Sequence, residues 1–398
     1  MRSAFVAAAR TLQLRRGWRA GGQARACANS AEPAAEQAVV MRAARHRLWR
    51  ARAFTNARGE HGNPAGIVLV HDRTAFEQLT DEDVVRVAAE LGYSETAFVH
   101  RAQGQSGCGA GEDVWVRFAT PAAHIDFCGH ATVAVFGELA RGDAAAGGRR
   151  DTPWLYTMRH RVLARSEGCT RESWPAVSVS ARPSAKGHAY VEMEQALPSF
   201  FDLPPEMPRE VAHSLGVTES SISQVACVST GLKDVLVELH ESQHVASLDA
   251  AVSPQTQDKI GSVCRKHEAV GYHVWPRDAI CWTPHAMPTH LECSVKDVRN
   301  FAPCWGIAEE NATGSSSGAM ACWLARRYIA ESRRSLARPQ ASFTQQAGRE
   351  GCGVVTIDFR FEQGAAMGMP SEISASVQIE PHAGRVLSVR VGGTTCRI

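Results

Sequence analysis

The sequence predicts a protein of two similar lobes, each of mixed strands and helices, and three observations predict it. In each half a glycine-containing turn precedes an apolar helical stretch. The first is Cys128-Gly129-His130-Ala131-Thr132 before Val133 to Leu139, and the second is Glu310-Asn311-Ala312-Thr313-Gly314-Ser315 before Gly318 to Tyr328. A helix with no polar face is a buried helix, and strand-like runs flank both. The length of 398 residues accommodates two ordinary domains.

The elements follow in order. Leu48 to Phe54 reads as a strand, Asn63-Pro64 as a turn, and Ala65 to Val70 as a buried strand. Thr80-Asp81-Glu82-Asp83 opens a helix with a capping hydroxyl and early acids that suit the helix dipole. Val84, Val87, Ala88 and Leu91 recur at helical spacing, and Gly92 ends the helix. Thr96 to Val99 and Val114 to Phe118 are strands joined by a Gly-rich loop at 104–111, and 141–153 reads as a basic loop. The second half has strands near Tyr190–Met193, Ser223–Val228, Tyr272–Trp275 and Leu291–Val295, a segment Leu232 to Leu239, and a helix at 255–267. Residues 331–352 read as a surface insertion, and the chain ends on a strand, Val386 to Val391, with a turn at Gly392-Gly393.

Composition excludes several classes. With 44% apolar and 21% charged residues the chain has a globular rather than a disordered profile. A net charge of +2 with no basic stripe beyond the N-terminus gives no footprint for nucleic acid, and no apolar run is long enough to span a membrane. The twelve cysteines contain no C-x-x-C pair, so no metal site is expected and the thiols are expected to stay reduced. The first 31 residues hold six arginines and no acid, which fits either an organellar transit peptide or an extension ahead of a start at Met41.

Three segments can carry chemistry. Ser94-Glu95-Thr96 sets a carboxylate between a helix end and an apolar strand, where desolvation would disfavour its charge and suit it to general acid/base work; the bland alternative is an exposed boundary residue. Gly129 lets a ligand approach the backbone at a helix start, where His130 can exchange hydrogen bonds with it. Glu310, Thr313, Gly314 and Ser315 repeat those physics in the second half. Two helix starts facing one ligand describe a cleft.

With Asn63-Pro64-Ala65-Gly66, Ser94 to Phe98, Thr120-Pro121, Cys128 to Thr132, Ser229-Thr230-Gly231-Leu232, Arg299 to Pro303, Glu310 to Ser315, Gln363-Gly364 and Val391-Gly392-Gly393, the chain from about residue 47 resembles the phenazine-biosynthesis-like (PhzF-like) family. The resemblance implies an α+β, diaminopimelate-epimerase-like fold, each lobe a curved sheet or barrel around a central helix. It divides the chain into an extension at 1–46, a first lobe at 47–184 completed by 385–398, and a second lobe at 185–384. It implies a homodimeric isomerase without cofactor or metal, acting on a small acidic molecule in the cytoplasm, or in mitochondria if the N-terminus is a transit peptide. In it Glu95 would shuttle the proton while Gly129, His130, Glu310, Thr313, Gly314 and Ser315 bind and support the substrate.

The chain departs from the family pattern in places. Glu310-Asn311 replaces Asp-Pro, His124 a glutamate, Arg52 an aspartate, and Met369 an arginine. A racemase of the same fold would need two opposed thiols; Cys128 is one, but Thr313 stands at the other position, and a hydroxyl is a poor base. A non-enzymatic binder of small acids is the reading from another class.

Residues 1–40 carry no pattern that needs burial. A chain beginning at Met41 is therefore expected to keep its melting temperature; a drop of several degrees would show that the extension packs on the body.

Overall fold

Thr80 begins the local structure that positions Glu95. Its hydroxyl accepts from the Asp83 amide at 3.0 Å while the Asp83 carboxylate accepts from the Thr80 amide at 3.1 Å, a reciprocal cap for the helix Asp81–Leu91. Gly92 ends that helix at φ 73°, a conformation glycine adopts without penalty. The chain then turns through Ser94 and Glu95 into the strand Thr96–Arg101, which is buried through His100. These relations come from a computed structural model that describes residues 46–101, 112–146, 152–166, 169–184, 187–248, 253–284, 289–336 and 353–398. The basic N-terminal stretch, the expected loop at 104–111 and most of the expected insertion lie outside them.

The first lobe is a closed ring. Strands His46–Thr55, Asn63–Val70, Thr96–Arg101, Glu112–Ala119, Trp154–His160, Ala176–Pro183, Ala189–Glu194 and Arg385–Arg397 pair in that order, and the last returns to the first. The ring wraps the helix Gly129–Ala145. By pairing it runs through Glu194, past the division expected after residue 184. The second lobe curls the strands Ile222–Ser229, Lys233–Leu239, Tyr272–Pro276, His290–Ala302, Val355–Gln363, Ser371–Glu380 and Arg385–Arg397 about the helix Gly314–Leu336. Both lobes run through the same alternation, antiparallel, parallel, antiparallel, parallel, antiparallel. The two similar lobes expected from the repeated turn-and-helix pattern are thus present.

Each central helix is rich in small residues because a strongly curved sheet leaves little room inside. Ala131, Ala134 and Ala140 in the first, and Ala319, Ala321 and Ala325 in the second, are fully buried. At Gly137 a Cβ would lie 2.1 Å from the Thr395 methyl. The charged exceptions are paired. Glu138, fully buried, holds Arg141 and Arg397, while Glu238 in the second lobe accepts Arg327 at 2.9 Å. A buried carboxylate left alone would cost several kcal/mol, so each guanidinium fixes helix to strand.

Several expectations are corrected. The first central helix continues to Ala145 through part of the expected basic loop, and the second to Leu336 through part of the expected insertion. Gly392-Gly393 is no turn; it lies inside the strand Arg385–Arg397, where Gly392 pairs with both Ser374 and Glu192. This is where one strand serves both lobes, and there is no space for side chains. A Cβ at Gly392 would lie 2.2 Å from the Val191 carbonyl, and one at Gly393 2.8 Å from the ring of Phe54. Phe54 itself is fully buried at φ 61°, beside a register shift in its own strand.

Gly392→Val is accordingly expected to destabilise the fold by about 3 kcal/mol or more, above the usual range for overpacking because the obstacle is backbone. Urea denaturation reads this; an unchanged midpoint would show that the shared strand can move aside.

Candidate active site

The two helix starts converge on a buried cluster drawn from both lobes. Glu95 and His130 are both buried, with Glu95 Oε2 3.2 Å from His130 Nε2. The opposite ring nitrogen, Nδ1, lies 3.4 Å from Cys128 Sγ, 3.2 Å from Asn63 Nδ2 and 3.8 Å from Glu310 Oε1. Asn63 Nδ2 also donates to Glu310 Oε1 at 2.9 Å, and Thr313 Oγ1 donates to Glu310 Oε2 at 2.7 Å. The imidazole therefore stands between two carboxyl groups, one from each lobe.

Alternation along the strand Ile307–Glu310 explains which of two adjacent glutamates enters the site. Glu309 turns the other way and receives Arg299 at 2.8 and 2.7 Å. Gln363 holds the following turn. Its Nε2 donates to the Glu310 carbonyl at 2.6 Å and to Thr313 Oγ1 at 3.0 Å, and its Oε1 accepts from the Thr313 amide at 3.0 Å.

The environments push the two carboxyl groups apart. Burial raises Glu95, but the charge and hydrogen bond of His130, with a further hydrogen bond from Ser94, outweigh it and hold the carboxyl below its ordinary value. Burial likewise opposes a charged His130, yet Cys128 and Glu95 raise the imidazole well above its usual range. Burial and the Glu95 charge push the Cys128 thiol up against the opposing charge and hydrogen bond of His130. Glu310 goes up to about 7, raised by burial and the Glu95 charge against the opposing His130 charge and hydrogen bonds from Thr313 and Asn63. The expectation that shelter would lift Glu95 is therefore corrected. The carboxyl lifted toward neutrality is Glu310, because Glu95 has an imidazolium at hydrogen-bonding distance.

The remaining expected residues stand around this cluster. Cys128 caps the first helix without a side-chain hydrogen bond to its amides, leaving that helix start open at Gly129. Gly129 would bring a Cβ within 3.2 Å of Met193, and Gly314 one within 3.1 Å of Phe54, so both glycines serve close packing. Ser315 is half-buried in the first turn of the second helix, its carbonyl accepting from Thr230 Oγ1 at 3.3 Å.

Asn63 and Gln363 stand in motifs that suggested no site role for them, and Asp234 was missed. That carboxyl is fully buried, pushed up to about 7 by burial and the Glu310 charge against a hydrogen bond from Ser316. Its signal was an acid entering the apolar run Val235-Leu236-Val237. Glu95, Cys128 and His130 also place one potential ligand atom each within 4.8 Å of one another. A metal there would have to deprotonate a thiol that burial holds up and break the Glu95–His130 pair. The cluster is better suited to sharing protons.

A family model described as "Phenazine biosynthesis-like protein" matches residues 51–397. The chain belongs to that family. Within the phenazine biosynthesis-like family it is 30% identical over 344 residues to an uncharacterized isomerase of Deinococcus radiodurans, covering 86% of this chain and 89% of the relative. To an uncharacterized isomerase of Escherichia coli K12 it is 25% identical, covering 76% and 87%. Two solved structures share the fold. One is a phenazine biosynthesis protein of Bacillus anthracis, at TM-score 0.56 and 20% identity, covering 88% of this chain and 96% of that one. The other is described as a predicted epimerase from Pseudomonas aeruginosa, at 0.56 and 19%, covering 89% and 97%. The α+β, epimerase-like fold expected from the sequence is the one found.

Asn311, at the turn that follows Glu310, has work of its own. Asn311 Nδ2 donates to the Gly62 carbonyl at 2.9 Å and to Ser371 Oγ at 3.1 Å, so it ties the turn carrying Glu310 to the segment before Asn63. Proline fixes a backbone by its ring; here a buried amide does so across the lobes. Asn311→Ala is expected to cost about 1–3 kcal/mol, the penalty of a carbonyl left unpaired. Urea denaturation measures it, and a loss below a few tenths would mean that water replaces the amide.

Proposed function

We propose that this protein is an isomerase that moves a proton within a small cyclic or amino/hydroxy acid, with Glu95 removing and returning it and no cofactor taking part. The single observation that carries the reading is the pair Glu95 and Glu310 on either side of His130, one carboxyl held low and the other lifted to about 7. Carboxyl groups pushed apart by their surroundings divide the roles of base and acid between them. The isomerase names of the Deinococcus and Escherichia relatives support the reaction class.

The Glu95 carboxylate takes a proton from carbon. Negative charge then develops across the substrate, facing the His130 imidazolium and the first-turn amides at Gly129 and Gly314, which also suit a substrate carboxylate. Protonated Glu310 donates to the polar group that carries the developing charge. The proton returns from Glu95 to a different atom of the conjugated system, so one proton leaves and one is restored. Thiol-based racemisation is disfavoured, since the Thr313 hydroxyl is committed to Glu310 and Gln363.

Glu95→Gln keeps shape but cannot exchange a proton. It is expected to bind candidate cyclic hydroxy or amino acids nearly as the parent does while losing turnover by about 10²–10⁴-fold. Incorporation of solvent deuterium, read by mass spectrometry, should disappear with it; near-parental exchange in the variant would sink the mechanism.

Glu310 gives a second test. It is protonated below about 7, so as an acid it should make activity fall as pH rises through that value. Glu310→Gln retains a donor that does not titrate and should flatten this limb while activity is lowered. A limb left in place would assign the titration elsewhere.

A further inference from the structure

Away from this cleft, two thiols that the proposed reaction does not use sit together. Cys264 is fully buried on the helix Pro254–Lys266, within a second core formed by that helix, the helix Met207–Leu215 and the sheet beneath them. Cys304 is half-buried in the single turn Pro303–Trp305, which packs on the helix carrying Cys264. The Cys304 sulfur lies 3.3 Å from the Gly261 carbonyl oxygen, and Arg265 Nη1 lies 3.8 Å from the same sulfur. Gly261, Cys264 and Arg265 stand three and four positions apart, on one helical face, and Cys304 packs against the core cluster that contains Cys264. A Cβ at Gly261 would approach that sulfur to 3.7 Å, which leaves the sulfur close against the helix.

We infer that Cys264 and Cys304 form a peroxide-oxidisable dithiol, a modification site separate from the catalytic cleft, with Cys304 attacking and Cys264 resolving. The half-buried sulfur can be reached by a small oxidant, while its neighbour is sealed in the core. A hydrogen bond from Cys264, with the Arg265 guanidinium beside it, outweighs burial and draws the Cys304 thiol down to about 6. Thiolates rather than thiols attack peroxides.

The chemistry balances without a metal. The Cys304 thiolate attacks one oxygen of hydrogen peroxide, the O–O bond breaks, and the departing hydroxide takes a proton to leave as water. Cys304 is then a sulfenic acid. The Cys264 sulfur attacks it, an S–S bond forms, and the sulfenic oxygen leaves with the Cys264 proton as a second water. Two thiols are oxidised by two electrons and one peroxide is reduced; a small thiol in excess reverses the change.

The position gives the modification reach. Cys304 stands in the turn joining the strand His290–Ala302 to Ile307–Glu310, and Gln257 of the Cys264 helix donates to the Ala308 carbonyl at 3.2 Å. Oxidation therefore fastens to the helix the segment that ends in Glu310.

The test uses the full chain in three parts. Hydrogen peroxide at a few equivalents, followed by alkylation and peptide mass spectrometry, should yield a Cys264–Cys304 linkage that dithiothreitol removes. Cys264→Ser should instead accumulate a dimedone-reactive sulfenic acid at Cys304. In the reduced parent, iodoacetamide should label Cys304 at pH 7 about threefold faster than the exposed Cys281, the advantage a thiol drawn down toward 6 holds after its lower nucleophilicity is allowed for. The proposal is overturned if Cys304 labels no faster than Cys281, or if peroxide carries it to sulfinic acid with no linkage in the parent chain. The labelling reads the parent alone, so failure of Cys264→Ser to fold would leave the test intact.

Discussion

One strand shared by two lobes constrains most of what this protein is. Arg385–Arg397 pairs with Ser371–Glu380 of one sheet and with Ala189–Glu194 and His46–Thr55 of the other. Backbones meet there from both sides, so the positions at the crossing must lack side chains, and Gly392 and Gly393 supply that. Phe54 fills the remaining space and also touches the start of the second central helix at Gly314. The crossing thereby sets where both helices begin, and those two beginnings form the cleft. A curved sheet by itself buries its helix; the shared strand is what sets the two helix starts beside one another.

The electrostatics follow from that convergence. Three ionisable side chains are brought together with little water: Glu95 and His130 from one lobe and Glu310 from the other. Buried charges survive when paired and hydrogen-bonded. Glu95 and His130 are paired at 3.2 Å and hold each other's charge, leaving Glu310 as the group that burial can lift. Asn63 of the first lobe donates to Glu310 of the second beside the imidazole, while Gln363 and Asn311 hold the turn from behind. The reactive arrangement thus depends on amides as much as on acids. An amide neither gains nor loses a proton, so it can set a distance without joining the titration.

Much of this was legible in the sequence. The capping box at Thr80, the stop at Gly92 and the apolar strand from Thr96 are local signals that place Glu95 at a sheltered junction. The repeated turn and apolar helix announce two lobes, and motif order announces the family. Glu95, His130 and Glu310 lie together in the folded chain. Gly129, Thr313, Gly314 and Ser315 take their places at the two helix starts. Other features were misread for identifiable reasons. Gly392-Gly393 carries the composition of a turn, and only the approach of a second sheet shows it to be a crossing. The central helices run further than their apolar stretches because their later turns meet solvent, where helical periodicity no longer needs apolar residues.

By itself, then, the sequence determined the elements, the repetition and the residue types of the cleft, because caps, periodicities and turn glycines act over a few neighbouring positions. The tertiary structure decided which carboxyl stays charged. Glu95 and Glu310 are the same side chain, each beside an apolar segment, and nothing within several residues of either tells them apart. What distinguishes them is the imidazolium of a residue 35 positions from one and 180 from the other along the chain. His130 lies within hydrogen-bonding distance of Glu95 and 3.8 Å from Glu310. A charge in a dry site acts through space, over distances that only the folded chain defines.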